Sequence, residues 1–224
     1  MLTTVVLDVN ETLTDLAPLR RRFLDVGAEP ELSATWFATV LKDAFALTVA
    51  GGTAPFADFA RAALLTLLRD GDAADHVLEG LSQLPLHADV PDGLRALHTA
   101  GLTLVTLTNG AAAQTDAMLH REGLRELVTH VLSVDDAGAW KPSAQAYAHA
   151  TRVTGAAPRE TLLAAVHPWD THGAQQVGWQ GAWVNRNGAP WPEPFQAPSH
   201  QVADLVELAA LLRAADPLLG VSLG

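Results

Sequence analysis

The chain has no cysteine. That absence removes disulfides, thiolate nucleophiles and zinc–thiolate sites together. Lysine is nearly missing: only Lys42 and Lys141 occur, and the one tyrosine, Tyr147, follows Lys141 by six positions. A composition that favours arginine explains the scarcity, but not why Lys141 is kept. Basic residues as a class are also few, 14 against 25 acidic ones, for a formal charge of −11. A surface of that sign repels phosphate backbones and anionic headgroups, so neither nucleic acid nor a membrane is an expected partner. Long apolar runs are absent too. The opening MLTTVVLDVN has no basic start and breaks at Asp8, unlike a signal peptide, and the uncharged span 44–57 is too short to cross a bilayer. A cytoplasmic protein is expected.

What remains is a composition that packs: 49% hydrophobic and 17% charged over 224 residues. Thr4 to Leu7 is a short valine-rich run ending at Asp8, the pattern of a strand buried on both faces of a parallel sheet. The pattern recurs at Leu102 to Leu107, at His130 to Val134 and at Thr161 to Val166. Helical stretches at Asp92 to Ala100, Ala112 to Arg121, Ala144 to Val153 and Thr171 to Val177 alternate with them, which predicts a doubly wound α/β sheet. Between the first and second strands, residues 15–86 show helical periodicity throughout, with helices expected at Leu32 to Val49, Phe56 to Leu68 and Ala73 to Leu84. The reading is a core domain of residues 1–14 and 87–224 and a helical insertion of residues 15–86. Both connections to the insertion fall at the sheet's C-terminal edge, where open α/β sheets bind ligands, so the insertion is placed to act as a lid. After Val184 come Asn187-Gly188 and a proline-rich stretch, then a last helix with Asp204 and Glu207 as a capping pair.

The strand ends collect Asp8, then Thr108 and Asn109, then Lys141 and finally Asp170. Singly, an acid or amide after a strand is ordinarily a turn residue. Together, at successive ends of a parallel sheet, they converge on one site. A carboxylate beside an ammonium stays ionised and is a competent nucleophile. Asp8 paired with Lys141 fits that role, with Asp170 holding the lysine. Thr12, Thr108 and the N–H groups at the following helix N-termini form an anion pocket for a substrate carboxylate or phosphate.

The segments VVLDVNETL, TLTNG, WKPSAQAY and VHPWDTHGA resemble, in order, the four motifs of the haloacid dehalogenase superfamily. The resemblance implies a Rossmann-like core with a helical cap, Asp8 as nucleophile, Thr12 and Thr108 as substrate-binding hydroxyls, Lys141 as partner of the nucleophile and Asp170 as the acid of the fourth motif. Asn10 stands where the superfamily's phosphatases carry a second aspartate that protonates the leaving alkoxide. An amide cannot supply that proton, whereas a halide leaves without one. Tyr147 fits the L-2-haloacid dehalogenase branch, which needs no cofactor and hydrolyses short 2-haloacids through an aspartyl ester. Asn10, Thr108, Asn109, Tyr147, His167, Phe37 and Trp36 are then expected on the substrate side, with Trp140 and Trp169 as possible walls.

Two departures from that branch stand out. The branch's cap arginine, which handles the halide, has no counterpart in Ser33 to Leu41; the nearest basic residues are Arg20, Arg21, Arg22 and Lys42, and the arginine cluster reads as a solvated helix face. The fourth motif has Ala165 and His167 where the branch has Ser and Asn, and His167 either orients or deprotonates water or is a structural replacement. The alternatives are a Mg²⁺-dependent phosphatase with Asp8, Asn10 and Asp170 as ligands, and a non-catalytic binding protein on the same fold. Trp36, Phe45 and Phe56 form either a homodimer contact or the insertion's own core, and the core is favoured.

Overall fold

The computed structural model describes residues 1–215. Its centre is β1 (Thr4–Leu7), buried at every position. Around it lie β2 (Thr103–Thr108), β3 (His130–Ser133), β4 (Thr161–Ala165), β5 (Gln180–Val184) and β6 (His200–Val202), all parallel, in the order β3-β2-β1-β4-β5-β6. The chain builds outward from β1 on one side and then crosses to the other, so the strand order reverses between β1 and β4. Crevices at such switch points are where doubly wound sheets bind ligands.

The four expected strands are present to within a residue or two at their ends. The last two were missed for a physical reason. Gln180–Val184 opens on a glutamine and a glycine and is buried only because helices cover both faces of the sheet; His200–Val202 is three residues long and exists as an edge strand only because β5 is there to pair with it.

The flanking helices are α5 (Val90–Thr99), α6 (Ala112–Arg121), α7 (Ala144–Thr154), α8 (Pro168–Gln176) and α9 (Leu205–Ala215). Helix α8 starts three residues earlier than the pattern suggested. Pro168 fits its first turn because no N–H is needed there, and Asp170 is therefore in the first turn, where the helix dipole favours an anion. The expected cap of α9 is present: Asp204 Oδ1 accepts from the Glu207 N–H at 2.8 Å, and Glu207 accepts from the Ala203 N–H at 2.6 Å.

Between β1 and β2 lie α1 (Leu19–Asp25), α2 (Leu32–Val49), α3 (Phe56–Leu68) and α4 (Gly71–Glu79), with a 3₁₀ turn at Gly80–Gln83. Helix α4 begins at Gly71 because Asp70 Oδ1 accepts from the N–H groups of Asp72 and Ala73, and the helix gives way to the 3₁₀ turn where one continuous helix to Leu84 was expected. The two connecting segments lie side by side: Asp15 N–H donates to Pro85 O and His87 N–H to Leu13 O, each at 2.9 Å.

The alternation of β1 separates two apolar clusters. Val6, Val105 and Leu163 belong to one that takes in Tyr147 and Ala150 of α7 and Ala174 of α8 and runs on to Trp36, Val40 and Leu64 of the inserted helices. Val5, Leu104 and Leu162 face the other way, under α5 and α9. Trp36 is fully buried and its indole N–H donates to Ala60 O; Phe56 stacks on Trp140, and Phe45 leans edge-on against Trp169. Trp36 packs within the inserted helices, as the core reading expected, whereas Phe56 and Phe45 pack on tryptophans outside residues 15–86. No helix among the described residues is long and apolar enough to cross a membrane.

Candidate active site

The ends of β1 and β4 bring two carboxylates to one ammonium. Asp8 follows β1 directly and is 3% exposed. Its Oδ1 accepts from Lys141 Nζ at 2.7 Å and its Oδ2 from the Thr12 hydroxyl at 2.6 Å. Thr12 returns over Asp8 because the N–H groups of Leu13 and Thr14 both donate to Val9 O. The turn passes through Glu11 in the left-handed region, φ 62°, which costs a side-chain-bearing residue about 1–2 kcal/mol.

Lys141 is fully buried. Its Nζ donates to Asp8 Oδ1, Asp170 Oδ2 and Leu107 O, each at 2.7 Å. An ammonium has three N–H donors, so none is left for a ligand. Asn109 fixes the lysine's backbone: its Oδ1 accepts from Lys141 N–H at 2.9 Å and its amide donates to Lys141 O at 3.4 Å. The Tyr147 hydroxyl donates to Asp170 Oδ1 at 2.7 Å. Gly173 permits that approach, because a Cβ there would lie 2.5 Å from the hydroxyl oxygen.

Burial works against the charge on Asp8, yet the Lys141 ammonium, His167 and the hydrogen bonds from Lys141 and Thr12 outweigh it and hold the carboxyl below its ordinary 3.8. Asp170 goes the other way: burial and the neighbouring Asp8 charge exceed the help of Lys141 and Tyr147, and its carboxyl is raised. Burial also opposes the charge on Lys141, and the two carboxylates overcome it. Tyr147 is raised well above 10.0, by burial first and Asp170 second. The result is an ionised Asp8, a charged lysine and a neutral phenol.

Two cavities adjoin this cluster. One of about 250 Å³ is lined by Asn10, Thr108, Gly110 and the start of α6. The other, of about 920 Å³, is lined by Glu11, Phe37, His167, Arg20 and Arg186 among others. His167 stands at the boundary, with Nε2 3.3 Å from Asn10 O, 3.6 Å from Glu11 Oε2 and 3.8 Å from Asp8 Oδ2. Its ring is stacked on Trp169 at 4.8 Å and beneath Phe37 at 6.2 Å.

Residues 2–178 match the family model of the haloacid dehalogenase-like hydrolases. The chain belongs to that family. It is 34% identical over 128 residues to an (S)-2-haloacid dehalogenase of Pseudomonas sp. strain YL, covering 57% of this chain and 55% of that protein. A longer match, 28% over 215 residues, joins it to (S)-2-haloacid dehalogenase 1 of Pseudomonas sp. strain CBS-3, covering 92% and 95%. The chain thus spans little more than half of the first relative and nearly all of the second. A crystal structure of a dehalogenase superposes with a TM-score of 0.87 at 30% identity, over 94% of this chain and 96% of that one.

Within this family member several expected substrate contacts prove to be spent elsewhere. Thr12 donates to Asp8 and accepts from the Val166 N–H at 3.0 Å, so its one hydroxyl proton positions the carboxylate and not a ligand. Asn109 is committed to Lys141. Tyr147 is fully buried on Asp170, and Trp36 belongs to the core of the inserted helices. Trp140 is core as well, its indole N–H donating to Ala54 O. Of the residues expected on the substrate side, Asn10 and Thr108 line the smaller cavity and Phe37 and His167 the larger. Lys42 pairs with Asp43, Arg21 with Asp25 and Arg22 with backbone and Gln83; only Arg20 reaches the larger cavity, paired with Glu31 at 2.6 Å.

The donor set does not suit Mg²⁺. Each oxygen of Asp8 and Asp170 already accepts a hydrogen bond, and Lys141 holds the position between the two carboxylates that a shared cation would need. Among the described residues no group of three His, Cys, Asp or Glu side chains is arranged to hold a metal.

Sequence reasoning missed Glu11 and Arg186. Arg186 donates to Asp89 at 2.6 Å and to Thr12 O at 2.7 Å, and Asp89 also accepts from the Leu205 N–H. One guanidinium thereby ties the turn after β1 to the segment leaving the insertion. The only signal was an Asn-Arg pair directly after an apolar run.

Proposed function

We propose that this protein is a hydrolase that releases halide from 2-haloacids through an ester on Asp8. The observation that carries the reading is a buried carboxylate held below its ordinary value by Lys141, in a turn whose acid position is Asn10. Asp8 forms a bond to the carbon bearing the halogen as the carbon–halogen bond breaks, and the electron pair leaves with the halide. No proton is required at that step, so the amide at Asn10 is no handicap. Esterification removes the charge of Asp8 and leaves Lys141 and Asp170 as a one-to-one pair. Water then adds to the ester carbonyl carbon and the acyl–oxygen bond breaks; one water proton goes to the departing oxygen and the other to solvent, so Asp8 is restored as a carboxylate and the 2-hydroxy acid departs with inverted configuration at the carbon.

In this reading Lys141 and Thr12 keep Asp8 ionised and aimed, Asn109 and Tyr147 hold Lys141 and Asp170, and Asn10, Thr108, Phe37 and His167 face the substrate. Residues 15–86 form a cap over a core of residues 1–14 and 87–224, and the protein works in the cytoplasm on a small anionic acid without a cofactor. Incubation with (S)-2-chloropropionate is expected to release chloride, and Asp8→Asn to reduce release to the uncatalysed level. A single turnover in H₂¹⁸O should place the label in the Asp8 carboxylate. No label and no chloride across several 2-haloacids would overturn the reading in favour of a non-catalytic binding protein.

A further inference from the structure

The cavity beside His167 is much larger than a short haloacid requires. At about 920 Å³ it sits at the upper end of pockets that hold drug-sized ligands, roughly 300–1,000 Å³, whereas a three-carbon acid has a handful of heavy atoms. The cavity at Asn10 and Thr108, about 250 Å³, is the one scaled to such an acid. The large cavity touches the nucleophile's surroundings through Glu11 and His167, the latter 3.8 Å from Asp8 Oδ2.

Its walls indicate what it would hold. Helix α2 presents Ala34, Phe37, Ala38 and Leu41 to it, one face at helical spacing. The two alanines are exposed and leave room beside Phe37, and His167 and Trp183 add further aromatic lining. Each arginine that lines it already has a carboxylate, Arg20 with Glu31 and Arg186 with Asp89, and of the Arg186 donors Nε alone is without a partner, so neither guanidinium is a free counter-charge for a second carboxylate. An apolar group fits these walls, and a ring fits the aromatic ones best.

We propose that the large cavity binds the part of the substrate beyond its third carbon, and that the preferred substrates are 2-haloacids carrying an aryl or long apolar side chain. The reaction named here rests on the dehalogenase reading; the binding site for the chain does not.

The test compares (S)-2-chloro-4-phenylbutanoate with (S)-2-chloropropionate by chloride release, in the wild type and in Ala38→Trp. The ratio of kcat/KM, aryl over short, is expected to be at least tenfold in the wild type and to fall at least tenfold in the variant. Ala34→Trp, on the same face, should act alike. A wild-type ratio of one or less, or a ratio unmoved in a folded tryptophan variant, overturns the proposal. Calorimetric binding of (R)-2-hydroxy-4-phenylbutanoate and (R)-lactate separates the two readings. Tighter binding of the aryl acid, lost in Ala38→Trp, upholds the chain site even where no chloride is released, an outcome that sinks dehalogenation alone. Chloride from the short acid with equal binding of both hydroxy acids sinks the chain site alone.

Discussion

The charge cluster and the cavity beside it approach each other at His167, 3.8 Å from Asp8 Oδ2, but are built on opposite terms. In the cluster every carboxylate oxygen and every ammonium proton has a partner, at 2.6–2.7 Å, with no exposure to speak of. At the cavity's lip the nearest contacts of His167 to carboxylates are 3.6 and 3.8 Å, and Glu11 is 42% exposed. Buried ionic groups survive only when fully satisfied, because the low dielectric that strengthens each contact also magnifies any that is missing. A site that must admit a ligand needs the other arrangement, with groups held in place but not used up.

That contrast predicts a gradient of effects. Lys141→Met leaves two buried carboxylates facing each other without a cation and should cost about 3–5 kcal/mol of stability, read by chemical denaturation. Tyr147→Phe removes one hydrogen bond to a charged group and should cost about 1.5–3 kcal/mol, with Asp170 pushed further up. Thr12→Val addresses Asp8 directly. Because Asp8's folded value lies below 3.8, the acid limb it sets on kcat/KM belongs below that pH, and losing the hydroxyl should move the limb up, by less than any change that removes the Lys141 charge. The smallest effect is at the lip. Burial first, then the Asp8 charge, raise the Glu11 carboxyl above its ordinary 4.5 against the pull of His167, so its ionised form disfavours the folded state at neutral pH. Glu11→Gln should therefore stabilise slightly, by less than about 0.5 kcal/mol after solvent screening, and the gain should vanish below pH 4.5. A loss at Glu11 as large as that at Tyr147 would erase the distinction between the two regions.

The same linkage sets the acid stability of the whole cluster. Asp8, lowered, contributes stability that is complete above 3.8 and lost as pH falls through its folded value. Asp170, raised, opposes folding above its raised value and ceases to do so below 3.8. A melting series from pH 7 to pH 3 in the wild type and in Asp170→Asn should separate the two contributions.

Much of the cluster was legible in the chain itself, because a parallel strand buried on both faces announces itself as an apolar run and its first polar residue falls at the sheet's C-terminal edge. Asp8 and Thr108 follow from that rule, Asp170 lies beyond it in the first turn of α8, and Lys141 stood out by its rarity. Their roles were only partly legible. Thr12, Asn109 and Tyr147 carry the right chemistry for substrate binding, but a hydrogen bond donated inward is unavailable outward, and the direction is fixed by packing such as the clearance at Gly173. The large cavity was not legible at all, since its lining comes from α1, α2, the turn after β1 and the segment after β5, stretches far apart in the chain. The sequence by itself determined the parallel α/β core, the place of the helical insertion and the ionisable residues at the strand ends, because burial imposes period and composition locally. The tertiary structure alone decided which polar atoms are spent and which face open space, because satisfaction and volume are properties of what distant segments bring together.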